Sequence, residues 1–215
     1  MKINEIFGPT IQGEGPWMGK PATFVRFSGC VAPLCDFCDS KYSWKDGKEM
    51  SVQEVIDVVK KIKCPNVVIT GGEPLAQDEF YDLIKEFTFN NPEFNLQIET
   101  SGKVETKMYL PSNVKVVISP KQYKNKFVVK QKTLNTAQYY KFVIGDKKTL
   151  NNALKFIRSN CLHVLPHKIY FMPLTTWNKK NDIEIKQFVW EACCKYCFNY
   201  TPRLHIDVWG RKQRV

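Results

Sequence analysis

One construction repeats along the first half of the chain: a short apolar run that ends in a polar, turn-forming loop. Ala22–Phe27 runs into Ser28-Gly29-Cys30, and Val67-Val68-Ile69 into Thr70-Gly71-Gly72-Glu73-Pro74. Leu96–Glu99 is followed by Thr100-Ser101-Gly102, and Val114–Ile118 by Ser119-Pro120-Lys121. Short, nearly continuous apolar runs bounded by such breakers read as strands buried on both faces, the signature of a parallel sheet covered by helices. Helical patterns lie between them. Ser51-Val52-Gln53-Glu54 is a capping box that opens a helix to about Ile62, with Val55, Ile56, Val59 and Ile62 on one face. Further helices are predicted over Gln77–Phe87, Lys148–Arg158 and Asp182–Tyr196, and further strands over Ile3–Phe7 (an edge), Tyr140–Ile144 and Lys168–Met172. Leu204–Val208 is expected to close the sheet, and the basic segment from Tyr123 to Thr136 to be loop. Alternating strand and helix predict a mostly parallel sheet with right-handed crossovers. About six main strands fall short of the eight that close a barrel, so the expected fold is α/β, an open, partial β/α barrel. Repeats, linkers and low-complexity segments are lacking, which predicts a single domain over residues 1–215.

The composition narrows the setting. No apolar run approaches the ~20 residues of a membrane span. Met1-Lys2-Ile3-Asn4-Glu5 lacks the apolar core of a signal peptide, so a cytoplasmic location is expected. The eight cysteines are then not read as disulfides. The formal net charge of +11 raises the question of nucleic acid. Lys outnumbers Arg 27 to 5, however, whereas base and phosphate recognition favours the Arg fork. Most of the charge is read as solvated surface, with a smaller part in attracting an anionic substrate.

The chemistry concentrates in Cys30-Val31-Ala32-Pro33-Leu34-Cys35-Asp36-Phe37-Cys38, three thiols within nine residues. Three thiolates can hold three irons of a 4Fe-4S cluster and leave the fourth open to a small molecule. Half of a zinc site, a redox pair at Cys35 and Cys38, and packed thiols are the alternatives from these residues alone. Cys64 and Cys161 are read as buried thiols. Cys193, Cys194 and Cys197 could be a second cluster site, but Cys193 and Cys197 stand four apart on a predicted helix, where packing is the simpler role. Arg26 sits inside an apolar strand and needs an anion, either a structural partner or a bound carboxylate. The two glycines of Gln12-Gly13-Glu14-Gly15 let backbone approach a ligand closely. A lone histidine such as His205 is more often a satisfied polar residue than a catalyst.

Three clustered cysteines followed by Thr70-Gly71-Gly72-Glu73-Pro74 resemble the radical S-adenosylmethionine (SAM) enzymes. Within that superfamily several stretches are similar to the 7-carboxy-7-deazaguanine synthase family. They are Glu5-Ile6-Phe7, Thr10-Ile11-Gln12-Gly13-Glu14-Gly15, Phe24-Val25-Arg26-Phe27-Ser28-Gly29-Cys30, Cys38-Asp39-Ser40 and Glu99-Thr100-Ser101-Gly102. Ser119-Pro120-Lys121, Leu204-His205 and Trp209-Gly210 belong to the same likeness, which is dense before residue 122 and thin from 122 to 200. One departure stands out: four residues separate Cys30 from Cys35, where the usual pattern has three.

The resemblance implies roles. Cys30, Cys35 and Cys38 would hold the 4Fe-4S cluster, and Ser40 a magnesium ion (Mg2+). Phe37, Cys38, Asp39, Gly72, Glu73, Ser119, Pro120 and Lys121 would contact SAM, with Glu73 accepting from its ammonium group. Ile11, Gln12, Gly13, Arg26, Thr70, His205 and the terminal Val215 would contact the substrate, Arg26 through its carboxylate. Met172-Pro173-Leu174 would add a second nucleoside contact. The implied reaction is conversion of 6-carboxy-5,6,7,8-tetrahydropterin to 7-carboxy-7-deazaguanine with loss of ammonia. The product would feed queuosine-type transfer-RNA bases or, in some phages, modified DNA. The implied partners are an external one-electron reductant of flavodoxin or ferredoxin type and a second copy in a homodimer, with no nucleic acid or membrane bound directly. Two alternatives are another radical SAM activity, such as a glycyl-radical activase, and a non-enzymatic zinc or nucleic-acid-binding module.

Overall fold

The structure, a computed structural model, describes residues 1–108, 110–161 and 163–215. The chain opens with β1 (Lys2–Ile11), a loop, and β2 (Pro21–Phe27), which pairs antiparallel to β1. After the cysteine loop come the two-residue β3 (Lys48–Glu49) and α1 (Val52–Ile62), capped by both bonds of the predicted box at Ser51 and Glu54. Then follow β4 (Asn66–Gly71), α2 (Phe80–Lys85), β5 (Asn95–Thr100) and β6 (Lys115–Ile118). A hairpin of β7 (Lys121–Tyr123) and β8 (Lys126–Val128) leads into α3 (Gln131–Thr136). The chain ends with β9 (Tyr139–Ile144), α4 (Lys147–Asn160), β10 (Ile169–Pro173), α5 (Lys179–Tyr196), β11 (Asn199–Tyr200) and α6 (Leu204–Trp209).

Among the described residues nine strands form one sheet, in the order β11-β10-β9-β6-β5-β4-β2-β1-β3. From β2 to β11 every pairing is parallel, and β1 and β3 add antiparallel strands at one edge. The six longer parallel strands are those expected from the sequence. The sheet ends at β3 on one side and β11 on the other, an open, partial barrel.

The alternation within the strands divides its two faces. Val25 and Phe27, Val67 and Ile69, Leu96 and Ile98, Val116 and Ile118, and Phe142 and Ile144 pack in one core with Val55, Ile56 and Val59 of α1. Burying each such side chain contributes about 1.5–3 kcal/mol. The intervening residues point to the concave face. Arg26 and Thr70 lie side by side there in register, and Glu99 of β5 and Lys141 of β9 line the same cavity. Near the beginnings of the strands that face is sealed by Trp17, Ala22, Phe24 and Val68, with Phe7 stacked on Phe24 at 5.2 Å. Towards their ends it is polar, which is where a cavity opens.

Four sequence expectations are corrected. Ile3–Phe7 extends to ten residues, and the two-residue β3 pairs with it only at Lys2 and Ile3, so the rest of it keeps the expected place at the sheet's edge. Leu204–Val208 is helical; the amides of Ile206 and Asp207 bond to Arg203 O, and β11 occupies the sheet edge instead. Its alternating Leu204, Ile206 and Val208 imitate a strand, but Val208 is 67 % exposed. The segment from Tyr123 to Thr136 is a hairpin and a helix, since Lys124 and Asn125 both adopt the positive φ that a tight two-residue turn demands. The helix predicted over Gln77–Phe87 begins at Phe80 and passes into a wider π-type turn over Glu86–Asn90.

Candidate active site

The cavity at the strand ends measures about 580 Å³. Its walls come from the cysteine loop, the loop after β1, the ends of β4, β5, β6, β9 and β10, α6 and the C-terminal tail.

One part of the wall is a set of charges on three elements. Glu99 Oε1 accepts from Gln12 Nε2 at 3.0 Å and from Gln97 Nε2 at 3.3 Å, while Thr70 Oγ1 donates to Glu99 Oε2 at 3.4 Å. Lys141 Nζ donates to Glu14 Oε2 at 2.6 Å and lies 3.7 Å from Glu99 Oε1. Burial alone would raise the Glu14 carboxyl; the charges of Lys141, Arg203 and His205 overcome it and bring it down to about 2. Burial by itself would lower the Lys141 ammonium, but Glu14 and Glu99 raise it, so the cation persists inside the protein. Lys121 has a different surrounding: burial and the charge of Lys141 depress its affinity for a proton, and its Nζ donates to Ser119 Oγ at 2.8 Å.

A second charged group sits at the β1–β2 side. Arg26 Nε donates to Glu5 Oε1 at 2.7 Å, so the structural ion pair is present, and Arg26 also faces the cavity. Arg214 in the tail donates to the other oxygen of Glu5 at 2.8 Å.

The cysteine loop brings Cys30, Cys35 and Cys38 to one cavity wall, all three free and partly exposed. Among the described residues no three His, Cys, Asp or Glu side chains are already gathered as a metal site. Burial raises the Cys30 and Cys38 thiols above their ordinary value, so a positive centre is needed to draw them into thiolates. The donors fit an iron–sulfur cluster: three thiols face one cavity, in a loop whose base is fixed. Glu73 N bonds to Gly29 O at 2.8 Å and Gly72 N to Phe27 O at 3.1 Å. A Cβ on Gly72 would lie 1.6 Å from Gly29 O, so only glycine allows the β4 loop to rest on the backbone that leads into Cys30.

The structure gathers most of the sequence candidates around this one space. Ile11, Gln12, Gly13, Thr70, His205 and Val215 line it, as do Phe37, Asp39, Ser40, Gly72, Ser119 and Lys121. Ser40 Oγ donates to Asp39 Oδ1 at 3.0 Å. Met172 faces the cavity as well, whereas Pro173 and Leu174 are not on its wall. Glu73 and Pro120 are also off the wall. Glu73 is fully buried; its carboxylate accepts from Thr100 Oγ1 at 2.5 Å and from the amide of Ser101 at 3.0 Å, as well as from Ser101 Oγ. It braces the β4 and β5 loops against each other. Sequence reasoning gave no role to Glu14, Lys141 or Arg203. Arg203 Nη1 donates to Asp39 Oδ2 at 2.8 Å and ties the segment before α6 to the residue after the third cysteine. The signal for Lys141 was present: a lysine in the middle of an apolar strand, like Arg26. Glu14 stood inside the family-like stretch Thr10–Gly15 without a role of its own, and Arg203 carried no signal.

An open parallel sheet whose strand ends meet a three-thiol loop and a glycine-pinned turn defines a class of enzyme. The family profile described as Radical SAM superfamily matches residues 25–179. A 7-carboxy-7-deazaguanine synthase from Aquifex aeolicus is 35 % identical, over 94 % of this chain and 91 % of its own length. One from Pyrobaculum aerophilum is 30 % identical over 98 % and 95 %. The crystal structure of QueE from Escherichia coli superposes with a TM-score of 0.75 at 27 % identity, covering 94 % of this chain and 92 % of that one. The chain belongs to the 7-carboxy-7-deazaguanine synthase family of radical SAM enzymes. Membership carries the 4Fe-4S cluster and SAM with it and excludes the reading as a non-enzymatic module.

Proposed function

We propose that this chain is a radical SAM lyase that converts 6-carboxy-5,6,7,8-tetrahydropterin to 7-carboxy-7-deazaguanine and ammonia. Substrate equals product plus ammonia, atom for atom, so the conversion needs no net oxidant. The observation that supports it best is the pairing, on one cavity wall, of an acceptor group centred on Glu99 and a guanidinium at Arg26. A pterin presents a donor-rich amine edge at one end and, in this substrate, a carboxylate at the other. Glu99, held by Gln12, Gln97 and Thr70, offers acceptor lone pairs to the first. Arg26 engages Glu5 through Nε and keeps its Nη edge for the second.

Cys30, Cys35 and Cys38 would hold the 4Fe-4S cluster, and Ser40 would contribute an oxygen to the magnesium ion, a hard cation that takes such ligands. When bound, the cluster would supply the electron for reductive cleavage of SAM, the source of the radical chemistry this family uses. Phe37, Asp39, Gly72, Ser119 and Lys121, which line the same cavity as the thiols, would position SAM. Ile11, Gly13, His205 and Val215 complete the substrate's enclosure. Glu73 and Pro120 act behind that surface, Glu73 by fixing the loops. The protein's contribution is orientation, so that a single hydrogen faces the radical.

The same reading takes residues 1–215 as a single cytoplasmic domain that works as a homodimer. It draws its electron from an external flavodoxin- or ferredoxin-type protein, and its product serves queuosine-type 7-deazapurine synthesis. No helix among the described residues is long and apolar enough to cross a membrane. The deciding experiment is an anaerobic incubation of reconstituted protein with SAM, Mg2+, a reductant and the carboxytetrahydropterin. A product with the mass of 7-carboxy-7-deazaguanine is expected, with ammonia in equal amount. Formation of 5′-deoxyadenosine without that product would overturn the assignment and favour a different radical SAM reaction.

A further inference from the structure

Glu5 is almost completely buried, with 3 % of its side chain exposed, yet it serves three separate parts of the chain. Its Oε1 accepts from Arg26 Nε of β2 at 2.7 Å and from Tyr42 Oη, beside the cysteine loop, at 3.1 Å. Its Oε2 accepts from Arg214 Nε, next to the last residue, at 2.8 Å. Two guanidiniums therefore share one carboxylate, which leaves one positive charge in excess where the substrate's carboxylate is expected. Gly210, Arg211, Lys212, Gln213, Arg214 and Val215 all line the cavity, so the tail lies across it. Arg211 rests over the Trp177 ring at 4.6 Å. Arg214 itself has φ of +59°, a backbone state that L-residues seldom adopt without an anchor. Among the described residues, Glu5 is the only ion-pair partner of the tail.

We propose that Glu5 is a positioning residue that couples the seating of the C-terminal tail to recognition of the substrate's carboxylate. With one oxygen it sets Arg26 side-on, so that the Nη edge points into the cavity. With the other it draws Arg214, and so the end of the chain, over the same place. This rests on the reading of Arg26 as the carboxylate ligand. Net charge and geometry predict opposite results on its removal. Glu5→Gln adds one positive unit to the site, which on charge alone tightens an anion; if aim governs, the anion is bound more weakly.

The test uses the full reconstituted chain and two stable probes, pterin-6-carboxylate and unsubstituted pterin, with affinities from calorimetry and tail protection from amide hydrogen exchange. Wild type is expected to prefer the carboxylated probe. Glu5→Gln is expected to cut that preference roughly tenfold, the scale of one lost charge-assisted hydrogen bond, and to speed exchange at residues 211–214. Arg214→Met, at a side chain 66 % exposed and so safe for folding, should also speed tail exchange and reduce the preference less. The double variant should be no worse than Glu5→Gln alone, because both changes break one pair. A Glu5→Gln protein that keeps or increases the preference overturns the coupling and leaves the carboxylate reading of Arg26 standing. So does an Arg214→Met effect fully additive with it. A wild type that binds both probes equally overturns the carboxylate reading itself.

Discussion

The strand-end wall and the cysteine loop face the same cavity and are built on opposite terms. On the wall the central charges are answered by others: Lys141 by Glu14 and Glu99, Arg203 by Asp39 and, at 3.7 Å, by Glu14. The loop is fixed at its base, where Glu73 N meets Gly29 O, and braced by Lys103 Nζ on Pro33 O at 2.5 Å, but its thiols have almost nothing to bond to. Cys30 Sγ reaches only Val31 O, at 4.0 Å. The wall's central charges are thus paired within the protein, whereas the loop's thiols are not. Substitutions in the two regions should therefore fail differently, the loop in chemistry and the wall in stability.

The largest effect is expected at the loop. Cys35→Ala should abolish 5′-deoxyadenosine formation and lower the iron retained after anaerobic reconstitution, while the melting temperature of the iron-free protein stays that of wild type. Loss of activity together with an unfolded apo-protein would mean that the loop, like the wall, is structural.

At the wall the order reverses. Lys141→Met leaves Glu14 and Glu99 buried without their shared cation, a change that typically costs about 3–5 kcal/mol. Chemical denaturation should show the midpoint falling by a corresponding amount in protein that holds no iron at all. A loss below about 1 kcal/mol, the scale of an exposed pair, would remove the distinction between the two regions.

A smaller effect follows from pH. The Glu14 carboxyl falls from 4.5 to about 2 on folding, because Lys141, Arg203 and His205 outweigh the opposing effect of burial. A depressed acid contributes stability in full above its unfolded value, and loses it as pH drops towards the folded one. Wild type should therefore exceed Glu14→Gln in thermal midpoint at neutral pH, with the gap closing between about pH 4.5 and 2. A gap that stays constant down to pH 3 would show that the carboxylate is not held by these cations.

The same contrast explains what the sequence disclosed. The cysteine loop, the Gly71-Gly72 turn and the apolar strands are contiguous in the chain, so spacing and periodicity expose them. The capping box at Ser51 and Glu54 was legible for that reason, and it forms. The wall is assembled from distant residues: Lys141 and Glu14 are 127 positions apart, and Arg203 and Asp39 are 164 apart. Their pairing exists only once β9 is laid beside β6 and the segment before α6 returns to the cavity. Glu73 shows the converse. Its motif was plain, but whether its carboxylate faces the cavity or the two loops behind it depends on Thr100 and Ser101, at the end of another strand. The β7–β8 hairpin was obscured by lysine-rich composition, and α6 by an alternation that burial does not follow.

The smallest effect is expected at the other cysteines, and it tests how far the loop is special. Cys193 is buried in α5 with its Sγ 3.5 Å from Asn199 O, and burial pushes its thiol up to about 12. Cys194 and Cys197 are exposed, and Cys197 takes the left-handed backbone turn that ends the helix. A thiol tied into packing, beside two that point to solvent, gives a bound metal no common wall. A Cys194→Ser/Cys197→Ser double variant should therefore retain the same iron as wild type after reconstitution, about four atoms per chain for a single cluster. It should also form 5′-deoxyadenosine at the wild-type rate. Wild-type iron near twice that figure, falling by half in the variant, would mean that a second set of thiols completes itself only on binding, and the cysteine loop would no longer be the one region of this molecule built that way.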